Sequence, residues 1–512
     1  MTLQPIQRVV VAGGGTAGWM TAAALSYSLP KTVSITLVES DDIGIVGVGE
    51  ATIPPIVSFN AKLGIDEDEF LKATQGAYKL GIDFIGWGAK DARYIHPFGT
   101  YGQDMQGLKF HQFYFAQAQR GFPALGALSE YNLCALAAAA NRFIRPTRDM
   151  GPVLHTMRYA YHFDAALYAR FLRKRAEAQG VVRIEGKIAD VPLDAETGHI
   201  RALRLDGDRE IPGDLFIDCT GFRALLIEGA LKVPYINWSR YLPNNRAWAA
   251  TCTAVEPLTP YTRATAQDAG WIWRIPLQHR TGTGHVFCAD FTTEAAAREA
   301  LVRSLDGRML RDPFLIRFTT GRRETFWEKN CVSVGLASGF LEPLESTSIH
   351  LIQSSIGKLL SLFPDQGFNA AERAEYNALL GTQYAQIRDF IIAHYKVTKR
   401  DDTPFWTYCR DMEVPDALRQ KLDLFAHKGR LIRHDEDLFA EDNWLAILHG
   451  QGMVPEGHDP LVDALPEAEL RDNLMRMREI LARTAQSLPG HSEFIDHHCK
   501  AASDVPAPAQ TA

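Results

Sequence analysis

Apolar positions open this chain as a short uninterrupted block, Val9 to Val11, the pattern of a strand covered on both faces. A glycine-rich turn follows, then a helical stretch of small residues, Ala17 and Ala22 to Leu25, then a second strand over 33–40 that ends in Glu39. Residues 41–56, with glycines and paired prolines, predict a loop. Residues 65–84 predict a helix with an acidic first turn running toward Lys79. The stretch 87–102 is aromatic and irregular, and 108–148 holds helical segments. An amphipathic helix spans 162–180, strands fill 181–207, and a buried strand at 215–219 runs into Thr220, Gly221 and Phe222. Residues 248–292 alternate as antiparallel strands, and 330–363 read as strand, loop and helix. From 368 onward the pattern is helical, with a loop containing Trp444 and residues 449–452 separating the last two helices.

Strand–helix units at the front and a run of alternating strands in the middle predict an α/β chain. The front domain is expected to be interleaved with an antiparallel sheet and followed by a mainly helical C-terminal region. The expected limits are 1–365 for the interleaved domain, 366–499 for the helical region and 500–512 for a disordered tail of small, polar and proline residues.

Gly13, Gly15 and Gly18 fall in the spacing G-x-G-x-x-G, directly between strand and helix. Gly13 permits the tight turn, Gly15 lets backbone approach a pyrophosphate, and Gly18 lets helix and strand pack closely. Thr16 and Ala17 open the helix, whose N–H groups and dipole favour phosphate. Glu39 stands where a ribose hydroxyl would be bound. Gly49 and Ala51 lie in the glycine-rich loop behind this unit, a second place for cofactor contact. The fingerprint alone does not choose between NAD and FAD. The turn at 217–222 and the strand–loop–helix at 332–350 resemble segments of large flavoproteins and favour FAD, so the interleaved front domain is expected to be an FAD-binding domain of the glutathione-reductase-like type. No second fingerprint supplies a fold for NAD(P)H, so a separate reductase is expected to deliver reduced flavin.

Composition narrows the partners. A net charge of −7 does not suggest nucleic acid or an anionic membrane. No apolar stretch reaches the roughly 18 residues of a membrane helix. The first strand begins almost at once, which leaves no room for a signal peptide and predicts a cytoplasmic protein. Seven scattered cysteines without a C-x-x-C pair read as reduced thiols, with no metal site.

Several motifs together resemble the flavin-dependent tryptophan halogenases, from residue 8 to about 460: residues 13–19, 47–54, Lys79, 270–277 and 339–348. Trp271, Trp273, Ile275 and Pro276 form a W-x-W-x-I-P signature that is far more specific than the glycine fingerprint. The resemblance implies a halogenase that uses FADH2, oxygen and chloride or bromide to make hypohalous acid, which passes through a tunnel to Lys79. It implies Glu345 as the carboxylate beside that lysine, backbone N–H groups at Thr347 and Ser348 for the halide, and His96 and Phe98 against the substrate. Glycine is common in the family where this chain has Ser348. An NAD(P)H-dependent flavin reductase is the implied partner, and a homodimer is compatible with the resemblance. Residues 440–455 do not match the groups that hold the zwitterion of free tryptophan, so a smaller indole or another electron-rich arene is expected. The rival reading is a flavin-dependent aromatic monooxygenase that hydroxylates its substrate directly.

Overall fold

The computed structural model describes residues 4–43, 49–434 and 437–502. A six-stranded sheet organises it, in the order 327–328, 331–333, 215–218, 8–12, 34–39, 182–185, parallel except at the 327–328 edge. Strand Arg8–Ala12 lies inside this sheet, which explains its unbroken apolar block. Val9 and Val11 join the main core with Trp19 and Met20 of helix Thr16–Ser28. Val10 and Ala12 point the other way, to Leu203, Leu205 and Ile211 of a small antiparallel sheet.

The strands of the six-stranded sheet come from 8–39, 182–218 and 327–333, so the chain leaves it twice. Much of both excursions forms a seven-stranded sheet in the order 309–317, 246–253, 280–287, 270–276, 262–267, 81–85, 93–97. All its pairings are antiparallel except that of Thr262–Gln267 with Gly81–Ile85. A three-stranded antiparallel sheet pairs Gly49–Ala51 and Ala77–Lys79 with the two edges of Ala160–Asp164. Helices Ala370–Lys396, Pro404–Asp411, Asp416–Lys428, Glu441–Gly450, Glu467–Ser487 and His491–His498 complete the C-terminal region. The α/β class and the interleaving thus follow the sequence pattern.

Several local expectations are corrected: the loop expected over 41–56 holds strand Gly49–Ala51 and the start of helix Pro55–Lys62, and the helix expected over 162–180 is Ala165–Ala178, behind strand Ala160–Asp164. The helix expected over 65–84 covers only Glu67–Ala73, capped by the Asp66 carboxylate on the Glu69 N–H. Gln75 is left-handed at φ 56° and ends the turn, and the chain continues as the strands Ala77–Lys79 and Gly81–Ile85. Lys79 is therefore a strand residue, fixed by pairing with Ala160. Residues Arg93–Pro97, expected to be irregular, form an edge strand of the large sheet. Trp444 lies in helix Glu441–Gly450, not in a loop. Finally, Ala501 and Ala502 of the expected tail are tied down: the Ala501 N–H donates to Gln278 Oε1, and Gln75 Nε2 donates to the Ala502 carbonyl. Residues 503–512 of that tail, and Gly47 and Val48 of the 47–54 motif, lie outside the described residues.

Strand Gly270–Pro276 is buried along its whole length. Its neighbour carries Gly284 opposite Trp273, and a Cβ there would lie 2.1 Å from the indole ring. The glycine is what gives Trp273 its space.

Candidate active site

The dinucleotide cradle has the geometry its glycines predict. Gly13 is at φ 105°, and a Cβ on it would lie 2.4 Å from the Cys219 carbonyl oxygen. A Cβ on Gly18 would lie 1.9 Å from the Gly13 carbonyl oxygen. At Gly15, by contrast, a Cβ would meet nothing within 4 Å, so the ground above the start of the helix is open. No side chain caps that helix and no acid occupies its first turn, which leaves the N–H groups behind Gly15, Thr16 and Ala17 for a phosphate. The Glu39 carboxylate lies against Gly14 and pairs with Arg183 Nε at 2.5 Å. Gly335, in the loop after strand Cys331–Ser333, closes against Ala17. These residues fit the pyrophosphate of a dinucleotide.

From this cradle the chain leads directly to the lysine. Gly49 packs on Ile275, with 3.5 Å from a Cβ position there to Ile275 Cγ2. Ala51 and Ala77 both pair with His162. One residue beyond Ala51, the Thr52 carbonyl accepts a hydrogen bond from Lys79 Nζ at 3.0 Å. The same ammonium donates to Ser346 Oγ at 2.9 Å and stands 5.4 Å from the centroid of the Phe98 ring. Lys79 has no exposed surface. Burial pushes its pKa down to about 7, against the opposing pull of Glu345, so the amine is accessible near neutrality.

Glu345 closes the short turn Pro343–Glu345, directly before Ser346. Burial alone would raise its pKa, but His96 and His394 hold it down at about 2. His394 Nε2 is 2.7 Å from Glu345 Oε1, and its Nδ1 is 2.9 Å from the Phe390 carbonyl. An N–H on His394 Nε2 donates to the ionised Glu345. His96 differs. Asn443 Oδ1 accepts from the Ala440 N–H, so its Nδ2 donates to His96 Nε2 at 3.0 Å. The His96 proton then sits on Nδ1 and donates to Glu345 at 3.0 Å. His96 thus reaches the site through its ring nitrogens, and Phe98 through its ring face.

Glu342, three residues earlier, is a different kind of carboxyl. Its Oε2 accepts from Trp271 Nε1 at 2.9 Å, Tyr395 Oη at 2.7 Å and Asn244 Nδ2 at 3.1 Å. Burial raises its pKa. The two glutamates of 342–345 therefore divide: Glu342 locks the tryptophan strand to the long helix, and Glu345 faces the histidines near Lys79. Ser346, left-handed at φ 57°, and Thr347, right-handed, lead into helix Ser348–Ser361. A left-handed residue followed by a right-handed one ahead of a helix start is a general setting for a small anion.

Sequence reading missed Thr52, Ser346, His394 and Asn443. Ser346 sits inside the 339–348 motif and could have been found there. His394 lies in the middle of a 27-residue helix, and no local pattern distinguishes it.

Comparison with known proteins follows this geometry. The tryptophan halogenase family matches residues 8–467. RebH, a tryptophan 7-halogenase from Lentzea aerocolonigenes, is 34% identical, with 96% of this chain and 98% of RebH covered. Among solved structures, Xcc4156, a flavin-dependent halogenase from Xanthomonas campestris, is 48% identical with a TM-score of 0.94, covering 98% of this chain and 99% of that one. BrvH, a flavin-dependent halogenase from Brevundimonas sp. BAL3, is 43% identical with a TM-score of 0.92, covering 96% and 99%. Family match, relatives and shared architecture favour halogenation over hydroxylation, and this chain belongs to the tryptophan halogenase family, as a flavin-dependent halogenase.

Proposed function

We propose that the enzyme forms hypohalous acid at FAD and uses Lys79 to deliver the halogen to a small electron-rich arene such as an indole. The observation that carries this reading is the setting of Lys79: no exposed surface, two oxygen partners, and Glu345 one residue from the nearer of the two contacting turns. When bound, reduced FAD supplies the two-electron chemistry with oxygen and halide. The protein's own part is binding and positioning. Gly13, Gly15, Thr16, Ala17 and Gly18 receive the pyrophosphate, Glu39 the ribose, and Gly49 and Ala51 border the flavin. The N–H groups of Thr347 and Ser348 hold chloride or bromide; bromide is preferred because it is the easier ion to oxidise.

Lys79 orients the oxidant by hydrogen bonding as ammonium, or carries the halogen as an amine. Phe98 offers a ring face to the arene. Glu345, kept ionised by two imidazoles, accepts the ring proton displaced by halogen. His96 and His394 fix its carboxylate. A small substrate is supported by helix Glu441–Gly450, whose acids are already engaged: Asp442 accepts from the Tyr101 N–H, and Glu441 pairs with Lys109. A separate NAD(P)H-dependent reductase supplies the reduced flavin.

The test is Lys79→Ala assayed with reduced FAD, oxygen, mixed halides and a panel of indoles, phenols and pyrroles, read by mass spectrometry. The wild type should give halide-dependent products. The variant should oxidise flavin at the wild-type rate and yield no halogenated arene. An oxygenated product formed without halide, or undiminished halogenation by the variant, would overturn the reading.

A further inference from the structure

Strand alternation in Gly270–Pro276 gives the large sheet a second, unassigned face. Trp271, Trp273 and Ile275 join the main core, whereas Ile272 and Arg274 point to the opposite side. There the sheet and the end of helix Glu294–Arg303 enclose a cleft of about 390 Å³, within the range of small-molecule sites. Arg263, Arg274 and Arg303 line it with Asp306, the hydroxyls of Thr265, Thr281 and Thr283, and the apolar side chains of Ile85, Ile272 and Leu305.

The charges in this cleft do not balance. Arg263 and Arg274 share one carboxylate oxygen, Asp306 Oδ2, at 3.0 and 2.5 Å. Arg303, at the mouth, pairs with Glu299, which is not part of the lining. Thr281 is 1% exposed, and its hydroxyl stands beside the Cys252 thiol. Arg274 is only 8% exposed, and its Nε, the atom that meets Asp306, makes no well-directed hydrogen bond among the described residues. Buried donors of this kind are ordinarily satisfied. Guanidinium groups in excess over the lining carboxylate, with threonine hydroxyls and an apolar wall, are the chemistry that holds an oxyanion on a compact apolar body.

We propose that this cleft is a second ligand site, separate from the halogenation site, for a small organic oxyanion, a carboxylate or a phosphate ester. Arg263 and Arg274 grip the anion, Arg303 closes the mouth, and Ile85, Ile272 and Leu305 receive the apolar part. Because Ile272 and Arg274 alternate with Trp271 and Trp273 on one strand, an occupant would stiffen the strand behind the active site.

The experiment uses FAD-loaded full-length protein, so that the cofactor's own phosphate site is filled. Binding of 4-fluorobenzoate is followed by fluorine NMR, and binding of inorganic phosphate by the shift in thermal midpoint. The wild type should bind at least one probe saturably. Arg303→Gln, a change at an exposed side chain, should weaken that binding by roughly tenfold, the worth of one charge-assisted contact, while leaving halogenation intact. Arg263→Gln should weaken it further. A benzoate response alone identifies a carboxylate with an apolar body, and a phosphate response alone a phosphoryl ligand. No saturable binding of either probe, or equal binding by wild type and both variants, overturns the proposal.

Discussion

A lysine with no exposed surface is costly to keep charged, and Lys79 carries that cost visibly. Its pKa falls from the ordinary 10.5 to about 7, chiefly through burial. Between those two values the unfolded chain holds a proton that the folded chain has lost. Stability from this group therefore rises with pH across that window, and below about 7 the penalty is fully present. Lys79→Met removes the penalty. Its thermal midpoint relative to the wild type should be higher at pH 7 than at pH 10, and a difference that grows with pH would contradict the burial argument. Glu345 has the opposite sign. Its depressed pKa contributes stability above the ordinary carboxylate value of 4.5, and that contribution is lost as pH falls toward about 2. Glu345→Gln should flatten the acid limb of the stability profile in this interval. It should also slow halogenation by about a hundredfold or more, the usual worth of a positioned base, with FAD affinity unchanged. If turnover matches the wild type, the ring proton leaves by another route.

The strand Gly270–Pro276 and its neighbour Arg280–Phe287 are complementary at the scale of the element. A methyl group at position 284 would lie 2.1 Å from the Trp273 ring and 2.6 Å from the Trp248 carbonyl oxygen. Gly284→Ala should therefore destabilise the fold by about 1–3 kcal/mol, the cost of overpacking. Adding Trp273→Phe removes the ring atoms concerned but not the Trp248 contact, so it should restore part of the loss. Full additivity in a double-mutant cycle of thermal unfolding would show that the two residues do not meet. The tryptophan signature was legible because it is a run of neighbours on one strand, and the glycine cradle because turn, approach and packing all act within six residues. Lys79 was recognisable as a residue but not as part of a strand. The strand that pairs with it, 160–164, and the one that pairs with the following strand Gly81–Ile85, 262–267, lie far along the chain, and the acidic start at Glu67–Glu69 favours a helix locally. Such pairings override propensity and leave no local trace. His394 was illegible for the same reason: 49 residues and a change of element separate it from Glu345.

In the whole molecule, the strand bearing Lys79 is closed from behind by the helix His491–His498. Phe494 of His491–His498 packs edge-to-face on Tyr78 at 5.5 Å, and His491 Nδ1 bonds to the Leu258 carbonyl at 2.7 Å. Gln278 then receives the Ala501 N–H and donates to the Cys499 carbonyl. None of these contacts reaches the six-stranded sheet, whose last strand ends at Ser333. A chain ending at residue 489 should therefore retain the cradle and bind FAD with unchanged affinity. The same truncation exposes Tyr78, an aromatic with no exposed surface in the intact chain, and removes the bonds that hold Gln75 and Gln278. Amide exchange at 77–79 should accelerate, and on the proposed role of Lys79 halogenation should fall at least tenfold, because a side chain misplaced by an ångström loses the alignment that delivery to the ring requires. A chain ending at residue 502 keeps every contact named here and should match the full-length enzyme in both measurements. If truncation at 489 instead abolishes FAD binding together with halogenation, cofactor and lysine sites belong to one cooperative unit; if halogenation survives it, the rear wall has no part in placing Lys79.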